Sequence, residues 1–182
     1  IRQTGGEIVR YADDVVLLCD SQTEAEGTLE QVRRWVDEAG LNLHPEKTRI
    51  VDATKPGGFD FLGYHFEQGK RWPRRKSLRR VKDLIRAKTK RANGHSLETI
   101  ILSVNRTLIG WFGYFKHSHK TTFPPLDGWI RMRLRSILRK RQHRRGRARG
   151  RDHQRWPNAF FTEQGLLSLV ATHAQACQSS KR

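Results

Sequence analysis

The sequence predicts an α+β fold, in which two antiparallel hairpins and a packed helix precede a strongly basic α-helical bundle. Short apolar runs flanking turn residues recur early in the chain, and amphipathic helical repeats follow them. Residues 1–70 carry 8 Lys and Arg against 13 Asp and Glu, a net charge of −5. Residues 71–182 carry 28 against 5, a net charge of +23. We therefore predict three segments, at residues 1–70, 71–141 and 142–182.

The first hairpin is predicted around Tyr11-Ala12-Asp13-Asp14. Residues 8–9 and 15–19 on either side are apolar, so the two carboxylates are expected at the hairpin tip. Adjacent carboxylates repel each other unless a cation neutralises them. Their oxygens suit Mg²⁺, and paired ions of this kind stabilise the attacking and leaving oxygens of phosphoryl transfer. The alternative is an ordinary solvated turn, in which Asp is common.

A helix is predicted directly after this hairpin. Ser21-Gln22-Thr23-Glu24 has the spacing of a capping box. Apolar residues then recur every three to four positions up to residue 39, and Gly40 is a natural helix stop. The apolar stripe of this helix is expected to pack on a sheet.

Short strands are predicted at residues 41–43 and 49–52, with Lys47 in the turn between them. A cation there could neutralise or protonate a departing pyrophosphate, whereas the alternative is a surface lysine on a turn. Residues 55–58 break regular structure, and the aromatic residues that follow predict a second hairpin around Gly63.

Three amphipathic helices are predicted in the basic part, at about 74–92, 96–115 and 126–141, with Ser96 as the N-cap of the second and a loop at 121–125. The first helix should turn Leu78, Val81, Leu84 and Ile85 inward. The segment 142–155 is Arg-rich and has too little apolar surface to fold alone, so we expect it to be mobile until it binds a partner.

The basic part points to nucleic acid, because Arg exceeds Lys there and a guanidinium grips phosphate bidentately. The alternatives are a solvated surface or an anionic membrane surface; no apolar run of about 18 residues exists, which excludes a spanning helix. Stacking on unpaired bases is one role open to Trp111, Trp129, Trp156 and Tyr114, but each has apolar neighbours and most are expected in the core. We predict nucleic-acid contacts at Arg74, Arg75, Lys76, Arg79, Arg80, Lys82, Arg131, Arg135, Arg139, Lys140, Arg144, Arg145 and Arg147.

Four stretches resemble, in order, parts of group II intron reverse transcriptases. Tyr-Ala-Asp-Asp between two apolar strands resembles the catalytic palm hairpin, and residues 41–49 resemble the lysine-bearing palm segment. Residues 59–64 resemble the hairpin that touches the primer terminus. Residues 96–111 and the Arg-rich stretch after Trp129 resemble the thumb, or maturase, domain.

The resemblance implies a partial reverse-transcriptase palm over 1–70, a thumb/maturase bundle over 71–141, and an Arg-rich segment with a short helical element over 142–182. It implies RNA-templated DNA synthesis from deoxynucleoside triphosphates by two-metal nucleotidyl transfer. Asp13 and Asp14 would hold Mg²⁺ and Lys47 would assist at the triphosphate. The thumb would bind intron RNA and template–primer, assisting splicing and mobility. The expected primer or nucleotide neighbours are Tyr11, Ala12, Leu62, Gly63 and Tyr64.

Two other functions stay open: a non-catalytic RNA-binding maturase, and a bacterial reverse transcriptase unconnected with an intron. The chain begins at Ile1, and the family's palm has a further metal-binding Asp and a finger domain upstream, so we expect a fragment that binds RNA without extending a primer. Without Cys-x-x-Cys spacing there is no sign of a zinc endonuclease domain. Two cysteines, with Cys19 in a buried strand, and no signal pattern suggest the bacterial cytoplasm.

Overall fold

The computed structural model of the chain describes residues 7–146 and 149–179. The chain divides into two compact units, Ile1–Gly69 and Lys70–Arg182. The predicted α+β class is confirmed, with small antiparallel hairpins in the first unit and mainly helices in the second. Within the described ranges, no helix has the length and hydropathy needed to cross a membrane.

The first hairpin consists of β1 (Glu7–Tyr11) and β2 (Asp14–Leu18). Tyr11 lies opposite Asp14, so Ala12 and Asp13 form a two-residue turn, and the predicted hairpin is confirmed. The prediction that Cys19 lies in a buried strand is wrong, because this residue follows β2 and is only half-buried. Both strands of this hairpin are largely exposed within the unit.

Helix α1 (Gln22–Glu38) begins and ends where the sequence predicts. The Ser21 hydroxyl accepts a hydrogen bond from the Glu24 N–H at 3.1 Å. At the other end Gly40 has φ +67, and the Leu41 N–H donates to the Val36 carbonyl at 2.9 Å. This bond and the left-handed glycine form a Schellman motif, which satisfies carbonyls at the helix end.

The strands predicted at 41–43 and 49–52 are wrong, because residues 41–58 form turns and irregular structure. The Thr48 N–H donates to the His44 carbonyl at 3.0 Å. Asp52 Oδ1 accepts the Thr54 N–H at 3.0 Å. Local bonds of this kind, including those from an Asp side chain, give the backbone an alternative to a strand ladder.

The second hairpin, β3 (Phe59–Phe61) and β4 (Tyr64–Glu67), is confirmed. Phe59 lies opposite Phe66 and their rings stack, with centroids 5.3 Å apart. The two-residue turn between the strands has φ +46 at Leu62 and φ +80 at Gly63. Positive φ at both central residues is the requirement of a type I′ turn, which suits the twist of a hairpin.

The second unit opens with β5 (Lys70–Pro73) and continues through helices around one hydrophobic core. In its described residues the helices are α2 (Arg75–Lys88), α3 (Leu97–Phe115), α4 (Phe123–Arg141), α5 (Arg151–Arg155), α6 (Asn158–Glu163) and α7 (Leu169–Ser179). A 3-10 turn, Lys120–Thr122, precedes α4. The core side chains that are at most 1% exposed include Ile85, Ile101, Val104, Leu108, Phe123, Ile130, Leu134, Ile137, Phe161 and Leu169.

Helices α2 and α4 differ from their predicted extents. α2 ends at Lys88, short of its predicted end, and the side-chain amide of Asn93 donates to the Lys88 carbonyl at 2.8 Å. α4 begins at Phe123, so residues predicted as a loop, including Pro124 and Pro125, form its first turn. Proline fits there because the first N–H groups of a helix have no intrahelical acceptor.

Part of the segment after α4 contacts the bundle, in the residues that the structure describes. Asp152 of α5 is 1% exposed and accepts a hydrogen bond from Arg139 of α4 at 2.7 Å. It also accepts the Arg149 N–H at 3.0 Å. The prediction overlooked this buried carboxylate, which fixes an otherwise polar segment to the core.

Candidate nucleic-acid and metal sites

The hairpin tip presents two adjacent carboxylates to solvent. Asp13 lies in the turn, Asp14 is the first residue of β2, and both residues are exposed. Ala12 has φ +53, a conformation that costs a residue with a β-carbon roughly 1–2 kcal/mol. The Arg10 Nε donates to the Ala12 carbonyl at 3.0 Å, a bond that stabilises this turn.

The chemistry of these donors fits a hard divalent cation. Mg²⁺ is commonly held by one or two carboxylates, with substrate phosphates and waters completing its octahedron. Among the described residues, no three His, Cys, Asp or Glu side chains are grouped closely enough to hold a metal by themselves. Asp13 and Asp14 are therefore the right type of donor for part of such a site.

The remaining predicted active-site residues lie on two other turns of the first unit. Lys47 is exposed, and its N–H donates to the His44 carbonyl at 3.2 Å. Leu62 and Gly63 form the turn of the second hairpin, and Tyr64 begins its second strand. The left-handed Leu62 is unfavourable by roughly 1–2 kcal/mol, and strain of this kind often occurs at ligand-binding turns.

The predicted contacts on α2 lie on an open face. Arg75, Lys76, Arg79 and Arg80 are exposed, on the opposite side of the helix from the buried Val81 and Ile85. Arg74 at the N-cap and Lys82 are half-buried. A shallow surface groove runs along this helix and is lined by Lys76, Arg79, Arg80, Asp83, Leu84 and Ala87.

Leu84 was expected to face the core, and the structure shows it 49% exposed in this groove. Position 84 lies only about 100° around the helix from position 85, so an inward Ile85 leaves Leu84 at the margin. Leu84 therefore lines the groove beside Lys76, Arg79 and Arg80.

The predicted contacts on α4 differ from those on α2. Arg135 is 3% exposed, and its Nε donates to the Trp156 carbonyl while an Nη donates to Asn158 Oδ1, both at 2.8 Å. Its guanidinium carbon also lies 5.1 Å from the centroid of the Phe161 ring. Burial, and secondarily the charge of Arg131, lowers the pKa of Arg135. This side chain holds the C-terminal segment in place, and its guanidinium is not open to a nucleic-acid strand.

Arg139 and Arg131 also bind within the protein. Arg139 pairs with Asp152 and donates from Nε to the Arg145 carbonyl at 2.9 Å. Arg131 lies 3.9 Å from the buried Asp127, which accepts the Leu169 N–H at 3.1 Å at the start of α7. The structure therefore gives both arginines contacts with the C-terminal elements or the carboxylates that anchor them.

The other predicted cations beyond position 139 fall into two groups. Lys140, Arg144 and Arg145 are exposed and remain candidates for contact with nucleic acid. Arg147 lies outside the described residues.

Sequence reasoning missed a group of cations around Trp129, which it placed in the core. The ring is partly buried, and Arg86 and Arg133 lie 5.5 Å and 5.4 Å from its centroid. Lys82 lies 5.9 Å from it. The spacing of Lys82 and Arg86, and of Trp129 and Arg133, is i, i+4 on each helix, which was the available signal. Trp156 is buried as predicted, whereas Tyr114 is exposed.

Comparison with known protein families gives two matches along the chain. The model of the reverse transcriptase (RNA-dependent DNA polymerase) family matches residues 1–66. The model of the group II intron, maturase-specific domain matches residues 78–156. No curated protein is a significant match to the sequence. The two matches occur in the predicted order and cover most of the chain, and members of the first family generally use a divalent metal. The chain belongs to the group II intron reverse transcriptase/maturase family.

Proposed function

We propose that the chain binds intron RNA through its second unit and that phosphate contacts supply most of the affinity. The observation that carries this proposal is the open face of α2, where Arg75, Lys76, Arg79 and Arg80 are all exposed. Asp83 is the carboxylate in the groove on this face, and it already pairs with Arg86 at 2.5 Å. The face therefore has an excess of cations, which a ribose–phosphate strand would neutralise.

The excess of cations predicts how binding depends on salt. Each phosphate that a cation neutralises releases counterions, and the slope of log K against log salt changes by about 0.7–0.9 per contact. If the cations of α2 made no contact with a defined RNA, they would add nothing to the salt dependence of its binding.

The test removes two cations from α2 and two from elsewhere. Arg79→Gln combined with Arg80→Gln is expected to weaken RNA binding roughly tenfold at about 0.1 M salt and to reduce the slope by about 1.4–1.8. Arg33→Gln combined with Arg34→Gln on α1 changes net charge equally and is the matched control. An equal loss in both variants, or no loss in the first, contradicts the proposal.

We further propose that the first unit contributes Asp13 and Asp14 to RNA-templated DNA synthesis. The observation that favours this second role is the position of both carboxylates at an ordered, exposed hairpin tip. Bound Mg²⁺ would supply charge stabilisation at the attacking and leaving oxygens. Asp13 and Asp14 would hold the cation, and the exposed Lys47 would offer a proton or a positive charge to the leaving pyrophosphate.

The metal role has a test that does not require polymerisation. With added hydrogen peroxide and ascorbate, Fe²⁺ substituted for Mg²⁺ reduces the peroxide to hydroxyl radicals that cleave the nearby backbone, and ascorbate regenerates Fe²⁺ from Fe³⁺. We expect cleavage close to residues 13–14 that Asp13→Asn combined with Asp14→Asn removes. RNA affinity should stay unchanged in this variant, because the cations of α2 are intact. Cleavage that persists in the double variant would exclude these carboxylates as the ligands.

A further inference from the structure

Three cations from two helices converge on one indole ring in the second unit. Lys82 and Arg86 come from α2, and Arg133 comes from α4, and each lies within 6 Å of the Trp129 centroid. A cation over an indole face is worth about 0.5–1 kcal/mol when exposed. Three cations at one ring also repel each other, so the arrangement requires further stabilisation.

Part of that stabilisation comes from the end of α2. Arg133 Nε donates to the Thr89 hydroxyl at 2.6 Å, and an Nη donates to the Thr89 carbonyl at 3.0 Å. These bonds satisfy groups at the helix C-terminus, where the dipole favours positive charge. Burial first, then the charges of Arg86 and Arg91, lowers the pKa of Arg133, in line with mutual repulsion among these cations. Arg133 is thus largely committed to the fold.

Lys82 and Arg86 are not explained in this way. Asp83 pairs with Arg86 at 2.5 Å, but both side chains are about half exposed, 58% and 49%. A surface pair of this kind is worth about 0–1 kcal/mol, and the Arg86 guanidinium has five donors to satisfy. Arg86 is therefore exposed and Lys82 is half-buried, and both contact the Trp129 ring that Arg133 also contacts.

The shape of this group distinguishes a phosphate ligand from a base. Cations lie around the Trp129 ring, which is itself partly buried against the core, and these contacts leave less of the indole open to a stacking base. A guanidinium and an ammonium group that contact the same ring match a phosphodiester, which accepts charge-assisted hydrogen bonds from both.

We propose that Lys82 and Arg86, supported by Trp129 and Arg133, bind backbone phosphates of RNA along the C-terminal half of α2. This inference rests on the proposed RNA-binding function and adds to it a second contact, distinct from Arg79 and Arg80. The contact reads no base, and Trp129 acts by positioning the two cations.

The experiment compares Lys82→Gln combined with Arg86→Gln against the α1 control described above, with single-stranded oligo(U) and oligo(A) RNA as probes. At about 0.1 M salt we expect roughly tenfold weaker binding to both RNAs and a salt slope smaller by about 1.4. Trp129→Leu should reduce affinity for both RNAs by a common factor. Circular dichroism of each variant checks that the helices are retained.

Several outcomes would overturn the inference. Trp129→Leu that affects oligo(A) much more than oligo(U) would indicate base stacking. Equal losses in the site variant and the α1 control would indicate only long-range charge. Inorganic phosphate that quenches Trp129 fluorescence without competing with RNA would indicate a small-anion site. If the wild-type chain binds no RNA, the proposed function fails as well; if only the Arg79/Arg80 variant loses affinity, the proposed function stands and this site does not.

Discussion

Helices α2 and α4 are both rich in arginine, yet they use it in opposite ways. The cations of α2 lie mainly on an exposed face, whereas Arg135 and Arg139 of α4 contact the C-terminal elements. Arg131 lies 3.9 Å from Asp127, the carboxylate that binds the start of α7. The two helices look alike in sequence because the basic residues interleave with an apolar stripe in each. Charge density alone therefore does not separate a binding surface from an internal clamp.

The difference arises from what covers each helix. α2 contacts α3 and leaves one side open, whereas α4 also receives α5 and α7. The C-terminal segment that contains these helices supplies hydrogen-bond acceptors for arginines of α4: the Asp152 carboxylate, the Trp156 carbonyl and the Asn158 amide oxygen. An arginine meets these groups because its planar fork can satisfy several acceptors while its stem remains in apolar surroundings.

The largest effect that separates the two helices is expected from Arg139→Met. This change leaves the buried Asp152 without its countercharge, and breaking a buried pair in this way costs about 3–5 kcal/mol. Because Arg139 is 22% exposed, we expect the lower end of that range in urea unfolding followed by circular dichroism. The neighbouring Lys140→Met is the control, with a change of less than about 0.5 kcal/mol.

A double variant sharpens this result. Arg139→Met combined with Asp152→Leu removes both charges, so it should recover part of the stability that the single change loses. A double variant as unstable as the sum of its single changes would show that the pair is not coupled, and would remove the argument that α4 is a clamp.

A smaller effect is expected from pH. The backbone N–H of Arg149 first, and then Arg139, lowers the pKa of Asp152 below its ordinary value, although burial opposes this. The folded state therefore binds this proton less readily than the unfolded chain, whose Asp pKa is about 3.9. The stabilisation is complete above that value and is lost as pH falls through the folded pKa.

The measurement is the free energy of unfolding of the wild type and of Asp152→Asn between neutral and acidic pH. The difference between them should be constant above about pH 5 and should shrink as acid protonates the wild-type carboxylate. A difference that grows towards low pH would mean that folding raises the pKa of Asp152, contrary to the direction assigned here. Asp52→Asn is a useful comparison, because hydrogen bonds from Thr54 lower the pKa of that exposed carboxyl too.

Local signals in the sequence located several elements correctly. The two hairpins, the Ser21 cap of α1 and the Ser96 cap of α3 depend on residues close in the chain, and the structure has them as predicted. The prediction of strands at 41–43 and 49–52 failed because apolar composition alone does not show whether a neighbouring strand is there to pair with. The start of α4 was missed because prolines suggest a loop unless they fall in a first turn.

The candidate sites could be predicted only where they rest on neighbouring residues. The tip carboxylates Asp13 and Asp14 needed only the hairpin register. The fate of Arg135 depended on Trp156 and Asn158, more than twenty positions away, and no periodicity records such a contact. The same limit hid the Trp129 group, whose members come from two helices.

The smallest effect is expected at Leu84, on the open helix. Because this side chain is 49% exposed and Ala is the better helix former, Leu84→Ala should change the free energy of unfolding by less than about 0.5 kcal/mol. Val81→Ala on the same helix is the contrast, since Val81 is 2% exposed and its truncation leaves a cavity, at a cost of about 1–3 kcal/mol. Urea unfolding of both variants measures the difference. Similar losses at the two positions would mean that the α2 face is covered rather than open, and the contrast with α4 would then disappear.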